Sequence, residues 1–148
     1  MSSTTSILNE RSIDALYHQI QQFYAKQMQL LDEGLVAEWS ASFTEDGVFA
    51  TNAHPEPARG RTAIREGAQN TVKELAEKGR VRRHWLGMLA LDPRADGSVF
   101  VRSYAQVLET SSGGPTMLRM STVCQDVLLH DGQQWLVRDR QVWRDDLR

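Results

Sequence analysis

The sequence predicts a single α+β domain in which helices come first and an antiparallel sheet follows. Two patterns carry this prediction. Apolar residues recur at helical spacing through much of residues 13–78, whereas apolar and polar residues alternate through most of the chain after residue 80. Short turn signals connect the alternating segments, so successive strands are expected to pair as antiparallel neighbours.

The first helix is predicted to begin at Ser12, a good capping residue, and to end at Gly34. A short second helix is expected to place Trp39 and Phe43 on one face, because they are four residues apart. The elements predicted after it are an Asp-Gly turn at 46–47, a strand at 48–50, a proline-containing loop at 52–60 and a third helix at 62–78.

Four long segments alternate and are predicted to be strands, at residues 81–91, 98–110, 116–129 and 134–143. In the first of them, Arg82, His84 and Met88 share one face, and Trp85 lies on the other. In the third, one face carries Leu118, Met120, Thr122, Cys124, Asp126 and Leu128. Spacing alone leaves open which face of each strand points inward.

Composition limits the possible functions. A chain of 148 residues predicts one domain, and a net charge of −2 without a basic run argues against a nucleic-acid partner. No apolar run reaches the length of a membrane span, and no signal pattern opens the chain. The single cysteine, Cys124, excludes an intrachain disulfide. We therefore expect a soluble cytoplasmic protein.

Several short motifs together suggest a family. They are Leu-Asp-Glu-Gly at 31–34, Phe-Thr-Glu-Asp-Gly at 43–47, Gly-Arg-Thr-Ala-Ile at 60–64, Arg-His-Trp at 83–85 and Trp-Leu-Val at 135–137. Their order resembles the SnoaL-like group of the nuclear transport factor 2-like superfamily over residues 10–146. The resemblance implies a cone-shaped fold in which a curved, mostly antiparallel sheet encloses one pocket. We accordingly predict a flexible segment at 1–9 and one SnoaL-like domain at 10–148.

Two ionisable residues are the leading catalytic candidates. His84 lies in the middle of a predicted strand, and a histidine can act as acid or base near neutral pH. Asp32 closes the first helix, where a carboxylate is electrostatically unfavourable. If the two met in the pocket, Asp32 would orient the imidazole and favour its protonated form. The plain alternatives are a structural histidine and a solvated turn aspartate.

Two further polar residues, Asp126 and Tyr24, are predicted to hold or polarise a substrate oxygen. The alternatives are a strand-end carboxylate and a core aromatic residue. The apolar pocket wall is predicted to comprise Trp39, Phe49, Trp85, Met88 and Met120. His54 is a candidate lid residue and Thr122 a candidate substrate contact. The histidines lack metal-ligand spacing, so neither a metal nor a cofactor is expected.

The resemblance implies several different activities, since the superfamily includes dehydratases, isomerases, epoxide hydrolases, polyketide cyclases and non-catalytic binders. Asp32 and His84 match the positions of a scytalone dehydratase aspartate and histidine, but Ser121 or Thr122 stands near the place of that family's second histidine. Asp126 matches the oxyanion-hole aspartate of ketosteroid isomerase, whereas Thr51 or Asn52 stands where its base would be.

The sequence therefore favours a cofactor-free cyclase, dehydratase or isomerase that acts on an apolar carbonyl compound such as a polyketide intermediate. The alternative is a ligand-binding or assembly module, such as a small subunit that supports a partner oxygenase. A homodimer is also expected, because the outer sheet face would carry apolar residues such as Val99, Val101 and Val107, or their alternates.

Overall fold

The computed structural model describes residues 2–148, with side chains from residue 13 onward. The prediction that residues 1–9 are flexible concerns a segment whose side chains lie outside the described part, and it stays a prediction. The helices are α1 Ser2–Asp32, α2 Val36–Ser40 and α3 Arg61–Glu77, and a 3-10 turn spans Asp145–Leu147. The strands are β1 Phe43–Thr51, β2 Ala58–Arg59, β3 Arg80–Pro93, β4 Val99–Ser111, β5 Thr116–His130 and β6 Trp135–Arg144.

The three helices pack on one open six-stranded sheet with the strand order β2-β1-β6-β5-β4-β3. Strands β3 to β6 form an antiparallel meander, while β1 runs parallel to β6. The sheet is therefore mixed, and the α+β prediction is confirmed. Strand β3 is at the far edge, but helix α1 packs against it, so the sheet curls around the space beneath the helices.

Helix α1 ends because Gly34 adopts a left-handed conformation, with φ of 78°. The Gly34 amide donates to the Leu31 carbonyl and the Leu35 amide donates to the Leu30 carbonyl. This pair of bonds is a Schellman motif, which satisfies the last carbonyls of a helix. The predicted stop at Gly34 is correct, and it leaves Asp32 in the final turn. The helix starts before Ser12, however, so Ser12 is not its cap.

The region after α2 differs from its prediction. Helix α2 ends at Ser40, and Phe43 is the first residue of β1 rather than a member of the helix. Residues 46–47 also lie within β1, where the register with β6 is interrupted between Phe43 and Val48. Trp39 and Phe43 nevertheless pack together, with ring centroids 5.0 Å apart. A bulged strand thus achieves the contact that helical spacing suggested.

The hydrophobic core occupies one end of the sheet. Val99, Leu128 and Val137 lie in register across β4, β5 and β6 and are fully or almost fully buried. The helices cover them with Ile20, Tyr24, Val36, Trp39 and Ile64. Val99, Val101 and Val107 all point inward, so it is their alternates along β4 that lie on the outer face.

Bulges reverse which residues point inward along three strands. In β3, Gly87 and Ala90 pair with Tyr104 and Arg102, so three steps on β3 match two on β4. Met88 lies within this bulge and has a φ of 56°. A similar shift occurs in β5 between Leu118 and Met120, which pair with adjacent residues of β4. Another occurs in β6 between Val137 and Asp139, which pair with adjacent residues of β5. An extra residue moves every later side chain to the opposite face.

Candidate functional site

A cavity of about 700 Å³ lies between the concave face of the sheet and helix α3. Its lining is mostly apolar, and small residues of α3, including Gly67 and Ala68, form one wall. The floor comprises inward-facing residues of β3, β4, β5 and β6. The hydrophobic core fills one end of the sheet, so the cavity occupies the other end. Its volume lies in the range of small-molecule sites.

Asp32 and His84 meet inside this cavity. The Asp32 Oδ1 is 2.6 Å from the His84 Nδ1, and the Asp32 Oδ2 accepts the His84 backbone N–H at 3.0 Å. An ionised carboxylate can only accept, so the proton in this contact belongs to Nδ1. The neutral ring then carries its free lone pair on Nε2. Nε2 has no hydrogen bond to a described residue, and both side chains line the cavity. The pair can therefore exchange a proton with a bound ligand.

A second polar group lies deeper in the molecule. The Arg140 guanidinium donates to both carboxylate oxygens of Asp126, at 3.0 Å each, and to the Gln27 side-chain oxygen at 2.6 Å. The Tyr24 hydroxyl donates to the Asp126 Oδ2 at 2.7 Å, and Gln27 in turn donates to the Ser42 hydroxyl at 2.7 Å. This network joins α1, β5 and β6 to Ser42, the residue that precedes β1.

Burial and charge shift the proton equilibria of this region. Burial, and next the charge of Asp126, raise the pKa of Tyr24 well above its usual value. Burial is also the main reason that the pKa of the Cys124 thiol rises to about 12. For Arg140, burial is the largest influence and opposes the charged form, but the favourable effects of its neighbours, led by the charge of Asp126, together outweigh burial and hold the pKa above its usual value. Arg140 therefore stays charged, and Tyr24 and Cys124 stay neutral, at any ordinary pH.

Five of the predicted contact residues line the cavity, and they come from several elements. Trp39, Phe49, Met120 and Thr122 contribute to its wall, and His54 lies at its exposed side. The Thr122 hydroxyl donates to the Ala105 carbonyl at 2.7 Å, which leaves its oxygen lone pairs available. These positions agree with a ligand-contact role, although that role stays a prediction.

Trp85 and Met88 do not line the cavity, which corrects their predicted position in the wall. Trp85 follows the alternation of β3 and lies on the face opposite His84, so 72% of its surface is exposed. Met88 was expected to share the face of His84. The bulge carries it outward instead, and 77% of its surface is exposed.

Tyr24 and Asp126 are both buried, but neither lines the cavity. Both oxygens of Asp126 accept hydrogen bonds from Arg140, and the Tyr24 hydroxyl donates to Asp126. The predicted direct contact of these two residues with a substrate oxygen is therefore corrected. They hold Arg140, which does line the cavity.

Arg140 is the main site residue that the sequence did not reveal. Val137 faces inward, so strict alternation would turn Arg140 outward, but the β6 bulge between them turns it inward. Three more cavity-lining arginines, Arg80, Arg82 and Arg144, were also not proposed as lining. Arg80 and Arg82 pair with Glu109, and Arg144 pairs with Asp146. The only available signal was the density of arginines in β3 and β6.

Neither a metal-binding cluster nor a membrane-spanning helix is found in the part of the chain that the structure describes. Within it, no three His, Cys, Asp or Glu side chains are grouped closely enough to hold a metal ion. No helix there is both long and apolar enough to cross a membrane.

Three helices around an open, curved sheet, with a polar pair inside the resulting cavity, define an α+β protein of the NTF2-like, cystatin-like fold. A structure of an NTF2-like protein with a cystatin-like fold from Novosphingobium aromaticivorans superposes with a TM-score of 0.79. The superposition covers 96% of this chain and 90% of the Novosphingobium chain, and the sequence identity of 21% supports the fold alone.

The chain belongs to the SnoaL-like family, because the model of the SnoaL-like domain matches residues 15–141. ActVI-ORFA from Streptomyces coelicolor is similar, with 31% identity, a TM-score of 0.82 and coverage of 89% of this chain and 96% of its own. A Catenulispora acidiphila protein in complex with S-DNPA shares 37% identity, with a TM-score of 0.77 and coverage of 90% and 96%. No protein with a curated description matches the chain.

Proposed function

We propose that this protein is a cyclase, dehydratase or isomerase that uses acid-base catalysis on an apolar carbonyl compound, such as a polyketide intermediate. The observation that carries the proposal is the 2.6 Å contact between Asp32 and His84 within an open, mainly apolar cavity. The S-DNPA complex of the Catenulispora acidiphila relative supports a small-molecule ligand.

His84 is the proposed acid-base group, and Asp32 is its positioning partner. In its neutral form, the His84 Nε2 accepts a proton from the carbon next to a substrate carbonyl, and the carbonyl oxygen takes up the electron pair. The resulting imidazolium is stabilised by Asp32. Returning the proton to another carbon gives isomerisation, and giving it to a departing hydroxyl gives dehydration with release of water. Attack of the enolate carbon on a second carbonyl, followed by transfer of the proton from His84 to the new alkoxide oxygen, gives cyclisation.

The test is a screen for cyclisation, dehydration and isomerisation of polyketide-like carbonyl compounds. We expect His84→Ala and Asp32→Asn to lower kcat by about 10²-fold or more, the usual contribution of a positioned acid-base group. His18→Ala and Asp14→Asn are matched controls, since both residues are exposed on α1. Full turnover by both site variants on a substrate that the wild type converts would refute this assignment.

We also propose that the protein is a homodimer. Val81, Trp85, Tyr104, Leu118 and Trp143 are all substantially exposed. Register relations place the Tyr104, Val123 and Trp143 positions in one row on the outer face of the sheet. An apolar face of this kind favours a covering surface, and a second copy is the commonest one. Light scattering after size exclusion is expected to give twice the chain mass, and Trp85→Glu is expected to give monomer. A wild-type monomer at micromolar concentration contradicts the proposal.

A further inference from the structure

The polar network around Arg140 leaves one edge of its guanidinium unused. Nε and Nη2 are bonded to Asp126 and Gln27, whereas Nη1 has no hydrogen bond to any described residue. Among the described residues, the side-chain polar atoms that are sealed from solvent and lack a partner do not include Nη1, so Nη1 is partly accessible. Arg140 lines the cavity although its side chain is 3% exposed. Its free N–H groups are therefore open to the cavity.

Aromatic rings flank the guanidinium group of Arg140. The guanidinium carbon lies 5.3 Å from the centroid of Phe43 and 5.9 Å from that of Phe49. Trp39 packs against both rings and also lines the cavity. The Arg140 Nη1 group therefore lies at the aromatic end of the cavity, where no described side chain supplies it with an acceptor.

The donors lie at a distance from the proposed acid-base pair. Arg140 is in register with Asp126 and Val101, whereas His84 is in register with Val107, three inward-facing positions further along β4. Thr122 and Leu86 occupy the floor between them. A ligand that reaches both ends is therefore elongated, and the group bound at Arg140 is not the group that reacts at His84.

We infer that the free edge of Arg140 forms an anchoring subsite for an oxygen acceptor at the far end of a flat, apolar substrate. The acceptor is a phenolic or carbonyl oxygen or a carboxylate, because each offers lone pairs to a guanidinium edge. Aromatic walls select a ring system as the carrier of that oxygen. The inference deepens the proposed function by defining the substrate class. It rests on that function only for the statement that the bound ligand is also the molecule that reacts.

The test compares 2-naphthol, 2-naphthoate and naphthalene by equilibrium dialysis with the full chain. We expect at least one oxygen-bearing probe to bind about tenfold more tightly than naphthalene, the usual scale of a hydrogen bond to a charged group. The better of the two probes identifies a neutral or an anionic acceptor. Equal binding of all three probes would overturn the inference.

A variant of Arg140 locates the preference. Arg140→Lys keeps the positive charge but not the free edge, and is expected to lose most of the preference. If the folded variant keeps the full preference, the inference is wrong. Where Arg140→Lys does not fold, probe binding to His84→Ala decides between the two ends of the cavity.

His84→Ala separates this inference from the proposed function. The variant is expected to lose turnover and to retain the preference for the oxygen-bearing probe. A preference that disappears in His84→Ala would place the oxygen at His84 and overturn the subsite. Loss of the preference in Arg140→Lys, with normal turnover in His84→Ala, would support the subsite and refute the catalytic proposal.

Discussion

Asp32 and His84 are joined by two hydrogen bonds, one through the imidazole ring and one through the backbone amide. One carboxylate therefore fixes both the tautomer of the ring and the position of β3 relative to the end of α1. The arrangement resolves two local problems at once. It gives a donor to an aspartate at the negative end of a helix, and it places a histidine with a defined lone pair in the cavity.

The first prediction concerns this tautomer. In ¹⁵N NMR spectra of the neutral wild-type protein, His84 is expected to be protonated at Nδ1. Asp32→Asn removes the carboxylate that enforces this state, so we expect a mixture of tautomers in the variant. Asp14→Asn serves as the control and leaves the His84 signals unchanged. A wild-type ring protonated mainly at Nε2 would contradict the geometry.

The second prediction concerns the buried Arg140–Asp126 pair. Arg140→Met leaves a buried carboxylate without its cation and is expected to lower the free energy of unfolding by about 3–5 kcal/mol in urea titrations. Adding Asp126→Leu removes the stranded charge and is expected to recover most of this loss. Arg144→Met, which disrupts a pair with the exposed Asp146, is expected to cost less than about 1 kcal/mol. Equal costs for the two single arginine variants would contradict the role of burial.

The third prediction is a loss of stability at alkaline pH. The native state keeps the Cys124 thiol protonated up to about pH 12, whereas the unfolded chain releases this proton from about pH 9. Tyr24 acts in the same direction at higher pH, because its native pKa is also raised. The unfolded state then binds fewer protons, so the free energy of unfolding falls as pH rises.

The slope measures this effect. Each group contributes up to about 1.4 kcal/mol per pH unit between its unfolded and native pKa values. Urea titrations from pH 6 to 10.5 are expected to show a decline that begins near pH 9. Cys124→Ala is expected to flatten the part between pH 9 and 10, without changing the trend from pH 6 to 8. An unchanged alkaline slope in this variant would contradict the assignment.

The fourth prediction concerns the β3 bulge. Met88 has a φ of 56°, which a residue with a side chain adopts at a cost, and its exposed side chain makes few contacts that offset this. Met88→Gly is expected to raise the free energy of unfolding by about 0.5–1 kcal/mol. Met117→Gly, at an exposed position of β5 without positive φ, is expected to lower it by a similar amount. A loss of stability in both variants would show that Met88 is not strained.

The sequence was sufficient for most of the element order and for the strongest pair of site residues. Helical spacing and period-two alternation are local properties, so they survive folding and identify α1, α3 and the four long strands. Asp32 stood out because its charge is unfavourable at a helix end, and His84 because it interrupts an apolar strand. Their contact could be proposed because both lie on elements that the fold directs toward one cavity.

The sequence did not reveal which residues face inward beyond a bulge. Alternation extended through β3 placed Met88 beside His84, whereas the bulge exposes it. In β6 the same kind of defect turns Arg140 inward, and no residue there marks it in the way that glycine often marks a bulge. Arg140 was missed for this reason, although it is the residue that turns Asp126 from a predicted substrate contact into an anchor for another side chain.

The bulge in β6 also bears on how proteins of this architecture diverge. Arg138 is the extra residue between Val137 and Asp139 and has no place in the pairing with β5. If Arg138 instead paired regularly, every later residue of β6 would move on by one position and turn to the opposite face. Gln141 and Trp143 would then enter the cavity, and Arg140 and Val142 would leave it. A slip of one position in the register thus replaces a whole stripe of lining at once. Such a slip changes many lining residues in one step, whereas a point substitution changes only one.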